Sequence, residues 1–258
     1  MQALIDMDIV VFRCAASAEE DPFGIAQFRA SDLFDQILEK TNADSYRAFL
    51  TGPTNFRKQY YPEYKANRTA PKPKHLDDLR AWAVEQLNAE VTTDGLEADD
   101  MLGIEQCTSF YLQNVDIGGE DGYLGDGVYF HKPEETIICS LDKDLLQIPG
   151  KHFSWEINGK GWSRPDTWTD MSELEGLRLF YEQCLKGDRT DNIRGIEKIG
   201  DKKAKALLAD CQSEQAMLTK VLQEYGNDDE FLMNANCLWI LRNLDEPYEV
   251  RYHASLQK

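Results

Sequence analysis

The chain has 258 residues, 42% hydrophobic and 10% aromatic, with 28 Lys or Arg against 46 Asp or Glu and a formal net charge of -18. That composition excludes a disordered or fibrous chain and leaves room for one large domain or a domain with a sizeable appendage. Its apolar runs fall far short of the roughly 20 residues that span a bilayer, so no membrane partner is expected. The opening MQALIDMDIVVF carries acids where an export signal would carry Lys or Arg, the six cysteines stand singly without a CxxC pair, and the four histidines show no zinc spacing. Reduced thiols in a cytoplasmic protein are the expectation.

A strongly acidic chain is at first sight a poor partner for nucleic acid. The distribution of charge reverses that reading. Residues 56 to 74 carry a local charge of +5 and residues 186 to 205 a local charge of +3, which leaves -26 on the rest. Two basic islands in an acidic chain suit a polyanion held at a few contacts.

In chain order, Ala3 to Ile5 is a short apolar run that ends in Asp6-Met7-Asp8 and continues into Ile9-Val10-Val11-Phe12-Arg13, read as a first strand with acids at its C-terminal end. Ligands of open α/β sheets gather at that edge. Gln27 to Lys40 has a helical stripe, and Tyr46 to Leu50 reads as a second strand, the start of a parallel sheet. In Phe56 to Lys74 three tyrosines interleave with the cations, a mixture that can stack on bases and neutralise phosphates, and three prolines forbid one long helix. Leu76 to Leu87 is an amphipathic helix, Val91 to Thr93 a short strand, and Glu97, Asp99 and Asp100 crowd the start of the next helix beyond what a cap requires.

Asn114 to Pro133, rich in Gly and Asp, reads as a mobile surface insertion without the ligand spacing of an EF-hand. Thr136 to Leu141 is a buried strand ending in Asp142-Lys143-Asp144, Trp155 to Trp168 a β-excursion or loop, and Met171 to Leu185 a helix. Then comes KGDRTDNIRGIEKIGDKKAKALL, residues 186 to 208, where Asp188 and Asp191 precede a turn punctuated by Gly195 and Gly200. Glycines let backbone N–H groups approach a phosphate, and a helix N-terminus adds partial positive charge. Helical patterns at Lys202 to Ala209, Gln215 to Tyr225 and Phe231 to Arg242 make the last third mostly α.

Four acidic clusters therefore sit at strand ends or helix starts: Asp6 with Asp8, Glu97 with Asp99 and Asp100, Asp142 with Asp144, and Asp188 with Asp191. If they converge, each pair about 4 Å apart repels by roughly 4 kcal/mol at an effective dielectric near 20. Cations must offset it. An all-oxygen set favours Mg²⁺ or Mn²⁺ over Zn²⁺, and two such ions would suit in-line attack of water on a phosphodiester.

DMDIVVFR, FRKQYYPEYKANR, LEADD, SLDKDLLQIP and the 186 to 208 stretch, in this order, resemble the phage and bacterial 5′-to-3′ exonucleases of the flap endonuclease superfamily. The resemblance runs from Asp6 to about Arg242. It implies an α/β fold: a PIN-like, mostly parallel sheet flanked by helices, with a helical arch over 56 to 90. A PIN-like nuclease domain would occupy 1 to 170, and an α-helical helix-three-turn-helix region that grips duplex would occupy 171 to 258. It further implies that Asp6, Glu97, Asp99, Asp100, Asp142, Asp144, Asp188 and Asp191 serve two Mg²⁺, with Mn²⁺ able to substitute. Lys65, Arg68 and Arg13 would contact the reacting phosphate, and Arg57, Lys58, Tyr64, Gly195, Ile196, Gly200, Lys202 and Lys203 the nucleic acid, with K⁺ at the 195 to 203 turn. The implied partners are DNA with a free 5′ end, a nick or a flap, and RNA paired to DNA, for a monomer acting in phage-type replication or recombination in the host cytoplasm. A PIN-type ribonuclease on single-stranded RNA and a non-catalytic branch-binding protein are the alternatives. Asp8 is an extra acid, whereas the Asp that the family places before the FR motif is missing at Leu50-Thr51-Gly52; either Asp8 covers for it or one metal site is weaker.

Overall fold

A computed structural model of the chain describes residues 1–114, 121–123, 129–131, 135–159, 161–244 and 246–255. The stretch read as an insertion, Asn114 to Pro133, lies largely outside them; within it a short antiparallel hairpin pairs Asp121–Tyr123 with Tyr129–His131. Six strands form the main sheet: β1 Gln2–Asp6, β2 Ser45–Leu50, β3 Glu90–Val91, β4 Thr136–Cys139, β5 Gly150–Ser154 and β6 Thr167–Met171, in the spatial order β6-β5-β4-β1-β2-β3. All neighbours pair parallel except β6, which runs antiparallel along β5.

Strand β1 is central, and Ala3, Leu4 and Ile5 are fully buried, as expected where helices cover both faces of a parallel sheet. Ala3, Ile5, Ala48, Leu50, Ile137 and Cys139 point to one side and pack with helices α1 (Met7–Ser17), α2 (Phe23–Thr41) and α3 (Leu76–Leu87). Leu4, Phe49 and Ile138 point to the other and pack on Leu102 and Cys107 of α4 (Ala98–Asn114). This alternation is the two-residue period of the pleat. Ile9 to Arg13 belong to α1, not to a strand: the Asp6 carboxylate accepts the N–H of Ile9 at 3.2 Å and starts a helix directly at the strand end. Helix in the 56 to 75 segment is confined to the 3₁₀ turn Phe56–Gln59.

The C-terminal part is helical, with α5 (Glu173–Lys186), α6 (Asp201–Leu208), α7 (Glu214–Tyr225), α8 (Asp228–Leu238) and α9 (Tyr248–Ser255). The expected boundary at 170/171 falls one residue before the end of β6, and α5 opens on a capping box from Ser172 to Glu175. The pattern read as a helix over Phe231 to Arg242 ends at Leu238, and α9 and strands β5 and β6 are additions to the sequence reading. Phe180, Trp239 and Tyr248 form the aromatic centre of this core, with ring centroids 4.8 to 5.6 Å apart. Among the described residues no helix is long and apolar enough to cross a membrane.

Gln147, fully buried in the 3₁₀ turn Asp144–Gln147, joins the two halves. Its amide donates to Gln183 and to the carbonyl of Leu238, both at 3.2 Å, and accepts the N–H of Ile240 at 3.1 Å. Helix α5 approaches so closely that a Cβ on Gly176 would stand 2.3 Å from the Gln147 carbonyl oxygen. Backbone has no rotamer with which to yield. We therefore expect Gly176→Ala to cost about 1–3 kcal/mol in urea denaturation, the range of an overpacked core.

Candidate active site

The C-terminal ends of β1 and β4, the start of α4 and the short hairpin pairing Gly187–Asp188 with Ile193–Arg194 converge at one edge of the sheet. There a cavity of about 400 Å³ is lined by Glu97, Asp99, Asp142, Asp144, Asp188 and Asp191, together with Lys65 and Arg68. A neighbouring lobe of about 280 Å³ shares Lys65, Arg68, Glu97, Asp99 and Asp142 and adds Asp6, Asp8, Phe12 and Arg80. Of the carboxylates expected to meet, only Asp100 lines neither lobe.

Asp100 is instead fully buried and faces Arg57. Nη1 and Nη2 of Arg57 reach its two oxygens at 2.8 and 2.7 Å, Nε donates to the carbonyl of Cys237 at 3.0 Å and Nη2 also to that of Trp239 at 2.7 Å, while Glu97 stands 3.2 Å from Nη1 as an ion pair. Asp100 also accepts the N–H of Leu241 at 3.1 Å and that of Glu97 at 2.9 Å. In this structure the pair holds segments together, with Asp100 outside both lobes and Arg57 at the lining of the larger one. Tyr64 also lines the larger lobe but is only 3% exposed, packed between Glu97 and Asp191. Lys58 is exposed, and Arg13, exposed on α1, lines neither lobe.

The acids raise one another's pKa. Burial, then the charges of Asp142, Asp188 and Asp191, pushes Asp144 up to about 7. Burial does the same for Asp6, to about 7, with Asp8 and Asp142 adding to it and the Ser140 hydroxyl, donating at 2.7 Å, opposing it. Asp99 is raised by burial and by Asp6, Asp142 and Glu97, and Asp142 by burial and by Asp191 and Asp188. Glu97 is the exception: burial would raise it, but Arg57 and Lys65 hold it down at about 2.

Lys65 adopts a left-handed backbone, φ 57°, uncommon for a residue with a Cβ. Its N–H bonds the carbonyl of Asp191 at 3.0 Å, and its ammonium pairs with Glu97 and lies 3.7 Å from Asp191. Arg68 pairs with Asp191. The Tyr64 hydroxyl lies 2.9 Å from Glu97 and 3.0 Å from Asp191, although one O–H can donate to only one of them. Asn67 donates to the carbonyl of Arg189 at 2.7 Å and Asn192 to that of Glu63 at 2.9 Å, so the two basic islands are stitched side by side.

Among the described residues no three Asp, Glu, His or Cys side chains are set to hold an ion as they stand, and Lys65 and Arg68 occupy oxygens of Glu97 and Asp191. The donor set nevertheless fits a hard divalent cation: oxygen ligands in excess, among them Asp6, Asp99, Asp142 and Asp144, raised in pKa by burial and by neighbouring acids. Cys237, the one thiol in the lining, is pushed up to about 12 by burial and offers no soft thiolate.

The turn expected to bind phosphate borders a further cavity of about 780 Å³ lined by Lys186, Arg189, Arg194, Gly195, Ile196, Lys198 and Gly200. Gly195 is obligatory there, since its Cβ would stand 2.0 Å from the carbonyl carbon of Lys186. Gly200 is the N-cap of α6 and carries no side-chain cap, and Lys202 and Lys203 are exposed on the first turn. Sequence reasoning missed Ser140, Gln183, which donates to Asp144 at 2.5 Å, and Arg80. Only Ser140 carried a signal, as the residue two places before Asp142 whose Oγ accepts the Asp142 N–H at 2.9 Å.

No protein-family model matches the chain. Over 210 residues it is 32% identical to DNA polymerase I of Chloroflexus aurantiacus, covering 77% of this chain and 20% of that protein. Over 185 residues it is 30% identical to DNA polymerase I of Rhizobium leguminosarum, covering 70% and 15%. The chain thus spans about a fifth or less of the length of these relatives. In fold it is similar to a zinc-bound 5′-exonuclease of bacteriophage T5, with a TM-score of 0.60 at 16% identity over 92% of this chain and 89% of that one. The T5 flap endonuclease in a pseudo-enzyme-product complex with DNA and metal ions gives 0.60 at 15% identity over 99% and 94%. The sequence relationship to the bacterial polymerases over 70–77% of this chain and the fold shared with the T5 nuclease both support the resemblance to the flap endonuclease superfamily.

Proposed function

We propose that the chain is a divalent-cation-dependent 5′-to-3′ nuclease that hydrolyses phosphodiester bonds at DNA ends, nicks and flaps, leaving 5′-phosphate products. The observation that carries this reading is the convergence of Asp6, Glu97, Asp99, Asp142, Asp144, Asp188 and Asp191, far apart in the chain, on adjoining lobes that also hold Lys65 and Arg68. Such acids would hold Mg²⁺ or Mn²⁺, which supply an activated water at neutral pH and charge to set against the phosphate. Lys65 and Arg68, now spent on Glu97 and Asp191, would turn to the non-bridging oxygens of the reacting phosphate and stabilise the charge that develops there.

The basic turn beside the cavity would hold the duplex through the N–H groups around Gly195 and Gly200 and through Lys202 and Lys203, with K⁺ as its companion cation. This second contact, beyond what a single strand requires, favours a duplex-bearing substrate over single-stranded RNA. RNA strands paired to DNA fit the same grip, and a monomer holds every part named here.

Asp144→Asn should lower cleavage of a 5′-labelled flap by about 10²-fold or more while leaving duplex binding by gel shift nearly unchanged. Cleavage near the unaltered rate would overturn the assignment, and equal cutting of matched single-stranded RNA would favour the ribonuclease reading. Lys65→Ala should cost about 10²-fold in single-turnover rate with a smaller change in affinity.

The pKa shifts also set a pH dependence. Asp6 and Asp144 keep their protons to about 7, above the ordinary 3.8, so the ion-free native state binds more protons than the unfolded chain between those values. Its stability should therefore fall as pH rises from about 4 to 7 and level off above. Mg²⁺ should raise the melting temperature more at pH 8 than at pH 5.5, which thermal scans in EDTA and in Mg²⁺ will compare.

A further inference from the structure

Asp8 lies in the first turn of α1, two residues past Asp6, and is held from two sides. Oδ2 accepts the N–H of Thr51 at 2.9 Å, and Oδ1 accepts from Nη1 of Arg80 on α3. Nη2 of Arg80 donates to the carbonyl of Thr51, and the Thr51 hydroxyl oxygen accepts the N–H of Ala98, the first residue of α4, at 3.0 Å. One guanidinium thus ties the start of α1, the end of β2 and α3 to each other. Unlike the buried Arg57–Asp100 pair, the Arg80 and Asp8 side chains are 27% and 29% exposed and line the second lobe beside Asp6, Asp99 and Asp142.

Arginine stays charged throughout the working pH range. Lys65 and Arg68 are engaged with Glu97 and Asp191, so Arg80 is the cation that meets Asp8. A divalent ion taking an Asp8 oxygen would have to share that carboxylate with a fixed positive charge. The lobe lined by Asp144, Asp188 and Asp191 contains no such obstacle from Arg80.

We propose that Arg80 is a tethered cation that keeps Asp8 out of the divalent-ion ligand set and confines the ions to the carboxylates around Asp99, Asp142, Asp144, Asp188 and Asp191. Arg80 is a positioning residue in this role, and the inference rests on the metal-binding reading of the cavity. Charge is the operative property, so a neutral side chain of similar reach isolates it.

The test is Mn²⁺ binding to the full chain without DNA, followed by the electron paramagnetic resonance of the free ion. Arg80→Gln retains a hydrogen-bond donor but loses the charge, and it should tighten the weakest Mn²⁺ site by about tenfold. Arg80→Lys should stay near the unaltered protein. Asp8→Asn alone should leave Mn²⁺ affinity within about twofold, whereas Asp8→Asn combined with Arg80→Gln should remove the gain. Unchanged affinity in folded Arg80→Gln would overturn the proposal. So would an Asp8→Asn variant that weakens binding as strongly as Asp144→Asn, a comparison that stands even if Arg80→Gln does not fold. Should the unaltered protein bind no Mn²⁺, or Asp144→Asn bind it normally, the metal reading itself would fall and take this proposal with it.

Discussion

The buried contact between Arg57 and Asp100 ties together three segments: the 3₁₀ turn after the sheet's second strand, the first turn of α4, and the backbone from Cys237 to Leu241. Breaking such a pair from one side leaves an uncompensated buried charge and costs about 3–5 kcal/mol. Its reach extends to the cavity. Arg57 also stands 3.2 Å from Glu97, and with Lys65 it keeps that carboxylate ionised while the acids nearby tend to hold their protons. The clasp therefore sets both where the arch segment begins and which acid carries charge in the absence of ions.

Around that anchor the fold works against its own electrostatics. A strand end that is also a helix cap presents Asp6, and a 3₁₀ turn locked by Gln147 presents Asp144. Local hydrogen bonds fix the backbone at each point, so the carboxylates cannot drift apart to relieve their repulsion. The protein lends Lys65 to Glu97 and Arg68 to Asp191. On the proposed reading, ion arrival would release these two cations beside the place where a phosphate would lie.

How much of this is legible in the sequence depends on whether a signal is periodic or relational. The stripe of Leu76, Leu79 and Ala83 gives α3 to the residue, and the apolar runs of β2 and β4 give their strands to within a residue or two. GKHFS at β5 has neither alternation nor a β-branched residue, so only its pairing with β4 reveals it. Ile9 to Phe12 suits strand by composition, and the cap at Asp6 turns it into helix. The acids at strand ends disclosed their meeting place. Which of them would be spent on a partner did not follow, because Asp99 and Asp100 are consecutive residues of one helical turn, and the packing of Arg57 on Asp100 separates them. Arg80 sits in an ordinary amphipathic helix and acquires meaning from Asp8, 72 residues away.

The stitching of residues 63 to 67 against 189 to 192 has a consequence for encounter as well as for the site. A body whose overall charge is -18 is pushed away from a polyanion over most of its surface, and the joined cationic strip is where attraction overcomes that push. Collisions in other orientations rebound. With nucleic acid as the proposed partner, the acidic remainder would act as a rotational guide, turning the molecule until its mouth faces the polyanion before any short-range contact forms.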